Sequence, residues 1–421
     1  MNSSSSSRGA RPGLRRRGAA AAGFVALFLA VALAAAPVHA QDALRPEIGK
    51  PLLAARDLIK AQRYKEALAK VREADAAGAK NANESFMIER MRIAAASGAG
   101  DVDTAARSFE VLGSSNRIPA AEKIRMIESI AGGYYRAREY PKAIQWSQRY
   151  FREGGTSATI RTLLIQSQYL SGDFAGAAKE LTTEVQAAER SGTPPAEDRL
   201  KLLLNAALKM NDNNAYVYAM EKLVTYYPKK EYWVDLLSRM QRKPSFSDRL
   251  ALDSYRLSLA TGSMTAANDY MEMAQLALQA GFGAESKQVL DKGFASGVLG
   301  TGAQAERHKR LRDLVAKRLD EEKKTRADDE SQALTARDGN ELVDVGMQMV
   351  YNGKSAQGLK LMQQGIAKGG LKRPQDAKLH LGIAYLVAGD NAKALAAFKT
   401  VSGSDGTGDL ARLWSLYARR K

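Results

Sequence analysis

Side chains that readily do chemistry are scarce in this 421-residue chain, which has no cysteine at all. That removes a thiol nucleophile, a thiolate metal site and any disulfide. Of the three histidines, His39 lies in an N-terminal apolar segment, while His308 and His380 are far apart in sequence. They lack the H-x-x-x-H spacing that would put two imidazoles on one helical face for zinc, and neither has a nucleophile nearby in sequence to activate. The glycine-containing turns "GKSAQG" (353–358) and "GAGDVD" (98–103) are not phosphate loops, which need a Gly-Lys-Ser/Thr ending after a strand. "DGNELVD" (338–344) offers oxygen ligands without the calcium-loop spacing and its terminal Glu. The expectation is a chain with no catalytic residue, no metal site and no cofactor, and therefore not an enzyme.

What the sequence does carry is punctuation. In "LHLGIAYLVAGDNAKALAAF" (379–398), Gly382 precedes Tyr385 by three residues, Gly389 opens a polar break, and Ala394 precedes Phe398 by four. Such spacing reads as two helices: Gly389 ends the first in the left-handed conformation, Gly382 and Ala394 let the pair approach closely, and Tyr385 and Phe398 fill the wedge. The same pattern recurs upstream with Ala67 after Gln62, Ala105 after Gly100, Ala143 after Arg138, Ala177 after Gly172 and Gly358 after Gly353. Ala55, Ala131 and Gly346 take the small position of the first helix. The anchors at 67, 105, 143 and 177 are 38, 38 and 34 residues apart, and 358 to 394 is 36. Between about 230 and 300 the anchors become Asp248 and Ser286. No strand run is visible. A helix pair leaves an apolar face that only another pair can cover, so the spacing predicts an all-α solenoid of about ten stacked antiparallel helix pairs.

The pattern resembles the tetratricopeptide-repeat family, most closely at Leu381, Gly382, Tyr385, Ala394 and Phe398, with Pro228 in the closing position of another repeat. The resemblance covers most of residues 47–401 and implies a superhelix that binds proteins in a groove lined by the first helix of each pair. Carried onto this chain, that groove would present Arg161, Gln166, Tyr169, Lys201, Asn205 and Lys209. Lys201 and Asn205 have the spacing of half the family's carboxylate clamp, and the neighbouring repeats do not supply the other half. Against the docking role stands an ordinary one, that these are solvated helix positions. The aromatic run "TYYPKKEYW" (225–233) reads as inter-repeat packing. A fainter resemblance, of "VGMQMV" (345–350) to the Gly-Leu-Met-Gln stretch of lytic transglycosylases, leads to a cell-wall enzyme as a third possibility, although Gly346 is already explained by repeat packing.

The remaining segments set compartment and boundaries. Residues 1–40 join a basic start, "RPGLRRRG", to an apolar run ending in "PVHA", which reads as a signal peptide cut after Ala40 rather than a retained anchor. "GAAAA" after Arg15–Arg17 favours ordinary secretion over the twin-arginine route. The expected location is a bacterial periplasm, with no membrane-spanning segment after cleavage, and no lipoprotein because there is no cysteine to modify. The chain from residue 41 holds 58 basic against 46 acidic residues. In an envelope that excess points away from nucleic acid; its targets would be anionic glycan, lipid head groups or acidic proteins, and it also serves solubility. Repeats are expected over 41–300 and 338–401. The charged stretch 301–337 is a degenerate repeat or an exposed arm, with Leu311, Leu314, Val315 and Leu319 as its stripe. Residues 402–421 form a capping helix through Leu410, Leu413, Trp414 and Tyr417, or a membrane-surface helix ending in Arg419, Arg420 and Lys421. Partner identity and oligomeric state are not written in the residues.

Overall fold

The computed structural model describes residues 43–113, 115 and 117–420; the expected signal peptide, residues 1–40, lies outside them. The described residues form twenty α-helices and no strand. Four antiparallel pairs come first: α1 (Pro46–Lys60) with α2 (Tyr64–Asp75), α3 (Ala82–Ala99) with α4 (Val102–Gly113), α5 (Ala120–Arg136) with α6 (Tyr140–Arg152), and α7 (Ala158–Ser171) with α8 (Phe174–Arg190). Three more follow: α9 (Glu197–Lys209) with α10 (Asn213–Tyr226), α11 (Lys230–Gln241) with α12 (Ala251–Thr261), and α13 (Ala267–Gln279) with α14 (Gly283–Ala295). The single helix α15 (Ala305–Thr335) precedes the pairs α16 (Asn340–Tyr351) with α17 (Ser355–Lys368) and α18 (Pro374–Val387) with α19 (Asn391–Phe398), and α20 (Thr407–Ala418) closes the series. The chain is an all-α solenoid of tetratricopeptide-like helix pairs. Nine pairs form among the described residues rather than ten, because the slot at 301–337 holds one unbroken helix of 31 residues. Its sequence has neither glycine nor proline to break it.

The small anchors sit where the pairs touch. Ala55, Ala67, Ala105, Ala131, Ala143, Ala177 and Ala394 are all 0% exposed. A methyl group on Gly346 would stand 2.6 Å from the carbonyl oxygen of Gly358, so the α16 and α17 backbones approach as only glycine permits. At Gly382 the added carbon would run into the Phe398 ring, which explains why those two residue types are paired across the turn. The turns repeat as regularly: Gln62, Gly100, Arg138, Gly172, Asn211, Gly281, Gly353 and Gly389 all have φ between 55° and 86°. In the middle of the chain one anchor differs from expectation. Asp248 is exposed in a 3-10 turn, and the small residue packed inside α12 is Ser254, because the connection from α11 is lengthened by the Pro244 segment. Ser286 is buried as expected, its hydroxyl donating to the Ala274 carbonyl at 2.7 Å.

By contact density the chain divides between Glu180 and Leu181. The first unit has its own core, with Phe109 fully buried and edge-on to Trp146 at 5.3 Å. Burying a side chain of that size is worth about 1.5–3 kcal/mol. Its first helices α1, α3, α5 and α7 touch one another along the stack, whereas the second helices have no comparable contact, so the unit curves toward the first helices.

The second unit is built differently. Its core runs from Val185 to Trp414, and α20 packs on α18 and α19 and also returns to α10 and α12. The Ser247 N–H donates to the Asp405 carbonyl at 2.9 Å, Lys243 pairs with Asp409 at 2.7 Å, Arg249 pairs with Asp376 at 3.2 Å and Arg412 pairs with Glu221. The arc of pairs is thereby closed within the unit. α20 buries Leu410, Leu413 and Trp414, so it is a packed element rather than a membrane-surface helix. α15 packs on α13, α14 and α16 through His308, Leu311, Val315 and Ala333, leaving Leu314 46% exposed. Among the described residues no helix is long and apolar enough to cross a membrane.

Candidate interaction surfaces

On the inner face of the first unit, between α1, α3, α5 and α7, lies a hollow of about 150 Å³. Ile59, Ile93, Ile160 and Leu163 supply apolar walls because the first-helix positions that face the curve repeat at helical spacing. Polar residues line it too, Glu128, Ser97, Ser129, Tyr135, Arg136 and Thr159 among them. Glu128 of α5 is half-buried with no hydrogen bond or ion pair among the described residues, and burial pushes its carboxyl up. Ser97 of α3 has a buried hydroxyl without a partner. Tyr135, also lining the hollow, donates to the Gln166 side-chain oxygen at 2.8 Å and so ties α5 to α7. Neither Glu128 nor Ser97 stands out in the sequence, since a polar residue on an amphipathic helix looks the same whether it faces solvent or a concave wall.

The six residues anticipated for docking fall three in each unit. In the first, Gln166 joins this inner face, while Arg161 lies five residues earlier, about 140° round the helix. Arg161 turns to Glu180 at 2.8 Å and to the Phe151 ring at 4.7 Å. Tyr169 packs edge-on against Phe174 at 5.2 Å. In the second, Lys201, Asn205 and Lys209 form an exposed stripe one helical turn apart on α9. Lys201 is held by Glu197 at 3.0 Å, and the same carboxylate takes Lys229 at 2.6 Å and the Tyr232 hydroxyl. Lys229, Tyr232 and Lys201 together lower the Glu197 carboxyl to about 2. Asn205 and Lys209 carry no hydrogen bond or ion pair of their own among the described residues. The aromatic run is packing: Trp233 is 1% exposed, and the Tyr226 and Tyr227 hydroxyls donate to Glu189 and the Pro195 carbonyl at 2.8 and 2.9 Å.

The interior of the second unit holds a buried charge cluster. The Arg256 guanidinium donates to both Glu285 oxygens at 2.7 and 2.6 Å and to Asp253 at 2.7 Å, all three residues being at most 4% exposed. His380 lies 3.1 Å from Asp253, joining α18 to α12. Burial works against the Asp253 carboxylate, but His380 and Arg256 overcome it and hold the group well below the usual range. Arg256 lines two cavities of about 640 and 580 Å³. In the larger, burial pushes Asp344 and Asp376 up, although Asp344 keeps an exposed surface. His308 is buried, its Nδ1 accepting from the Gly300 N–H at 3.1 Å. The two histidines thus serve separate structural contacts, and among the described residues no group of three or more His, Asp or Glu could hold a metal ion. Gly346 of "VGMQMV" lies against α17, in the helix contact and not in a cleft.

No protein-family description matches this chain, and no curated protein is similar to it. Among solved structures it is similar to the yeast Tom70 crystal structure, at 10% identity over 89% of this chain and 96% of that one, with a TM-score of 0.24. A second is the P58(IPK) TPR domain, at 10% identity, 89% and 99% coverage and a TM-score of 0.21. A third is the APC/C hetero-tetramer Cut9-Hcn1, at 11% identity, 88% and 96% coverage and 0.20. Scores this low carry no argument, and the fold assignment rests on the helix pairs, their anchors and their turns.

Proposed function

We propose that this chain is an exported, non-catalytic scaffold of the bacterial periplasm that docks protein partners in a cell-envelope assembly for secretion, transport or surface polysaccharide. The observation that carries the docking reading is the hollow on the inner face of the first unit, where apolar walls surround Glu128 and Ser97, two polar residues without a partner among the described residues. Several shallow contacts along such a face give avidity and orientation without any reaction. The export reading rests on the character of residues 1–40. A second reading is a basic surface holding anionic glycan or lipid head groups; of its three anticipated cations, Arg161 and Lys201 are already paired with glutamates and Lys209 is not paired among the described residues.

Photo-cross-linking in an envelope extract separates these readings. A photoreactive residue at Ser129 or Thr159, in the inner face, is expected to capture a protein that one at Lys65 or Arg107, on the second helices, does not. Equal capture from both faces would contradict the docking reading. Binding to anionic vesicles or polysaccharide that falls steeply with salt, with no inner-face cross-link, would favour the polyanion reading. N-terminal sequencing of the periplasmic fraction is expected to begin at Gln41.

A further inference from the structure

We propose that the hollow between α1, α3, α5 and α7 receives the side chain of one lysine on an extended segment of the partner protein, its ammonium held by Glu128 and Ser97. The inference rests on the docking reading above and names the chemistry that reading would recognise. Glu128 carries no ion pair among the described residues, whereas Glu122 of the same helix pairs with Arg90 at 2.6 Å. Arg136 also lines the hollow yet exerts no hold on Glu128, whose carboxyl is shifted by burial alone. A half-buried carboxylate without a cation is disfavoured, and an arriving cation relieves it. The buried Ser97 hydroxyl is a second acceptor without a donor, and an unmet buried polar group costs free energy until something pairs with it.

The remaining walls select the stem. Ile59, Ile93, Ile160 and Leu163 offer aliphatic surface, and about 150 Å³ is the size of a cavity that holds one benzene-sized group. One carboxylate and one hydroxyl suit a compact ammonium on a flexible apolar stem, with three donors free to rotate. A guanidinium fork, by contrast, seeks two parallel acceptors. Lysine buries its methylenes along apolar surface while its charge finds an oxygen, which this hollow allows.

The test uses the chain from residue 41 and an array of short, terminally blocked peptides of random sequence. Bound peptides should share a lysine at one position, and replacing it by methionine should weaken binding roughly ten- to a hundredfold, the loss expected for a charge-assisted contact. Glu128→Gln should cause the same loss, Ser97→Ala a smaller one, and the methionine peptide should lose nothing further on Glu128→Gln. Circular dichroism must show each variant folded as the parent. Peptides bound without a shared lysine, or bound equally by Glu128→Gln, would overturn the lysine inference and leave the docking reading standing. Failure of every peptide together with loss of the inner-face cross-links would overturn both, whereas failure of the peptides alone would overturn only the lysine site.

Discussion

At Gly346 and Gly382 a single added carbon meets backbone and ring, respectively, at distances real side chains do not adopt. Gly346→Ala should therefore destabilise by at least the ~1–3 kcal/mol of core overpacking, read as a lower urea midpoint with unchanged slope. A variant as stable as the parent would show that α16 and α17 can slide apart freely. Arg256 is the second such residue. Arg256→Met leaves Asp253 and Glu285 buried without their cation, at a cost of about 3–5 kcal/mol. Because Asp253 is held below its unfolded value, its contribution is present above about pH 4 and fades as pH falls toward the folded value. Glu128 runs the opposite way. Its raised value means the folded state binds the proton more tightly, so stability is greatest below the unfolded value and falls as pH rises through the folded one. Glu128→Gln should unfold at the same temperature as the parent or higher at pH 7, with the gap closing in acid; a lower Tm at pH 7 would contradict an unpaired carboxylate.

The helix-pair turn is the unit that repeats, and three turns use a side chain where five use glycine. Gln62 and Arg138 hold φ of 57° and 62°. A left-handed residue with a side chain costs about 1–2 kcal/mol, offset in part by the extra unfolded freedom of glycine. Gln62→Gly and Arg138→Gly should each stabilise by about 0.5 kcal/mol, while Gly172→Ala should destabilise by ~1 kcal/mol, all measurable by thermal unfolding. These turns and the alanine anchors were legible in the sequence because both depend on residues a few positions apart. The continuous α15 was less so: its charge gave no break, and only packing on α13, α14 and α16 shows which part of the thin stripe is covered. Asp248 misled because the Pro244 connection displaces the register to Ser254. Glu128 and Ser97 were not singled out, since their meaning comes from walls contributed by three other helices.

On the scale of the molecule, the second unit's closure brings together pairs such as Lys243 with Asp409 and Arg249 with Asp376, which no repeat period predicts. Partly exposed ion pairs of this kind are worth ~0.2–1 kcal/mol each, whereas burying Leu413 or Trp414 contributes about 1.5–3 kcal/mol. Apolar burial therefore holds the arc shut. Trp414→Ala should cost about 3–5 kcal/mol and Lys243→Ala under ~1 kcal/mol by chemical unfolding; the reverse order would make the closure an electrostatic latch. The first unit, by contrast, leaves its inner face open, and that is where we propose docking occurs. Hydrogen exchange of the chain with its captured partner tests that most directly. The expected result is slowed exchange in α3, α5 and α7 with α4 and α6 unchanged, and slowing confined to α4, α6 or the second unit would contradict it.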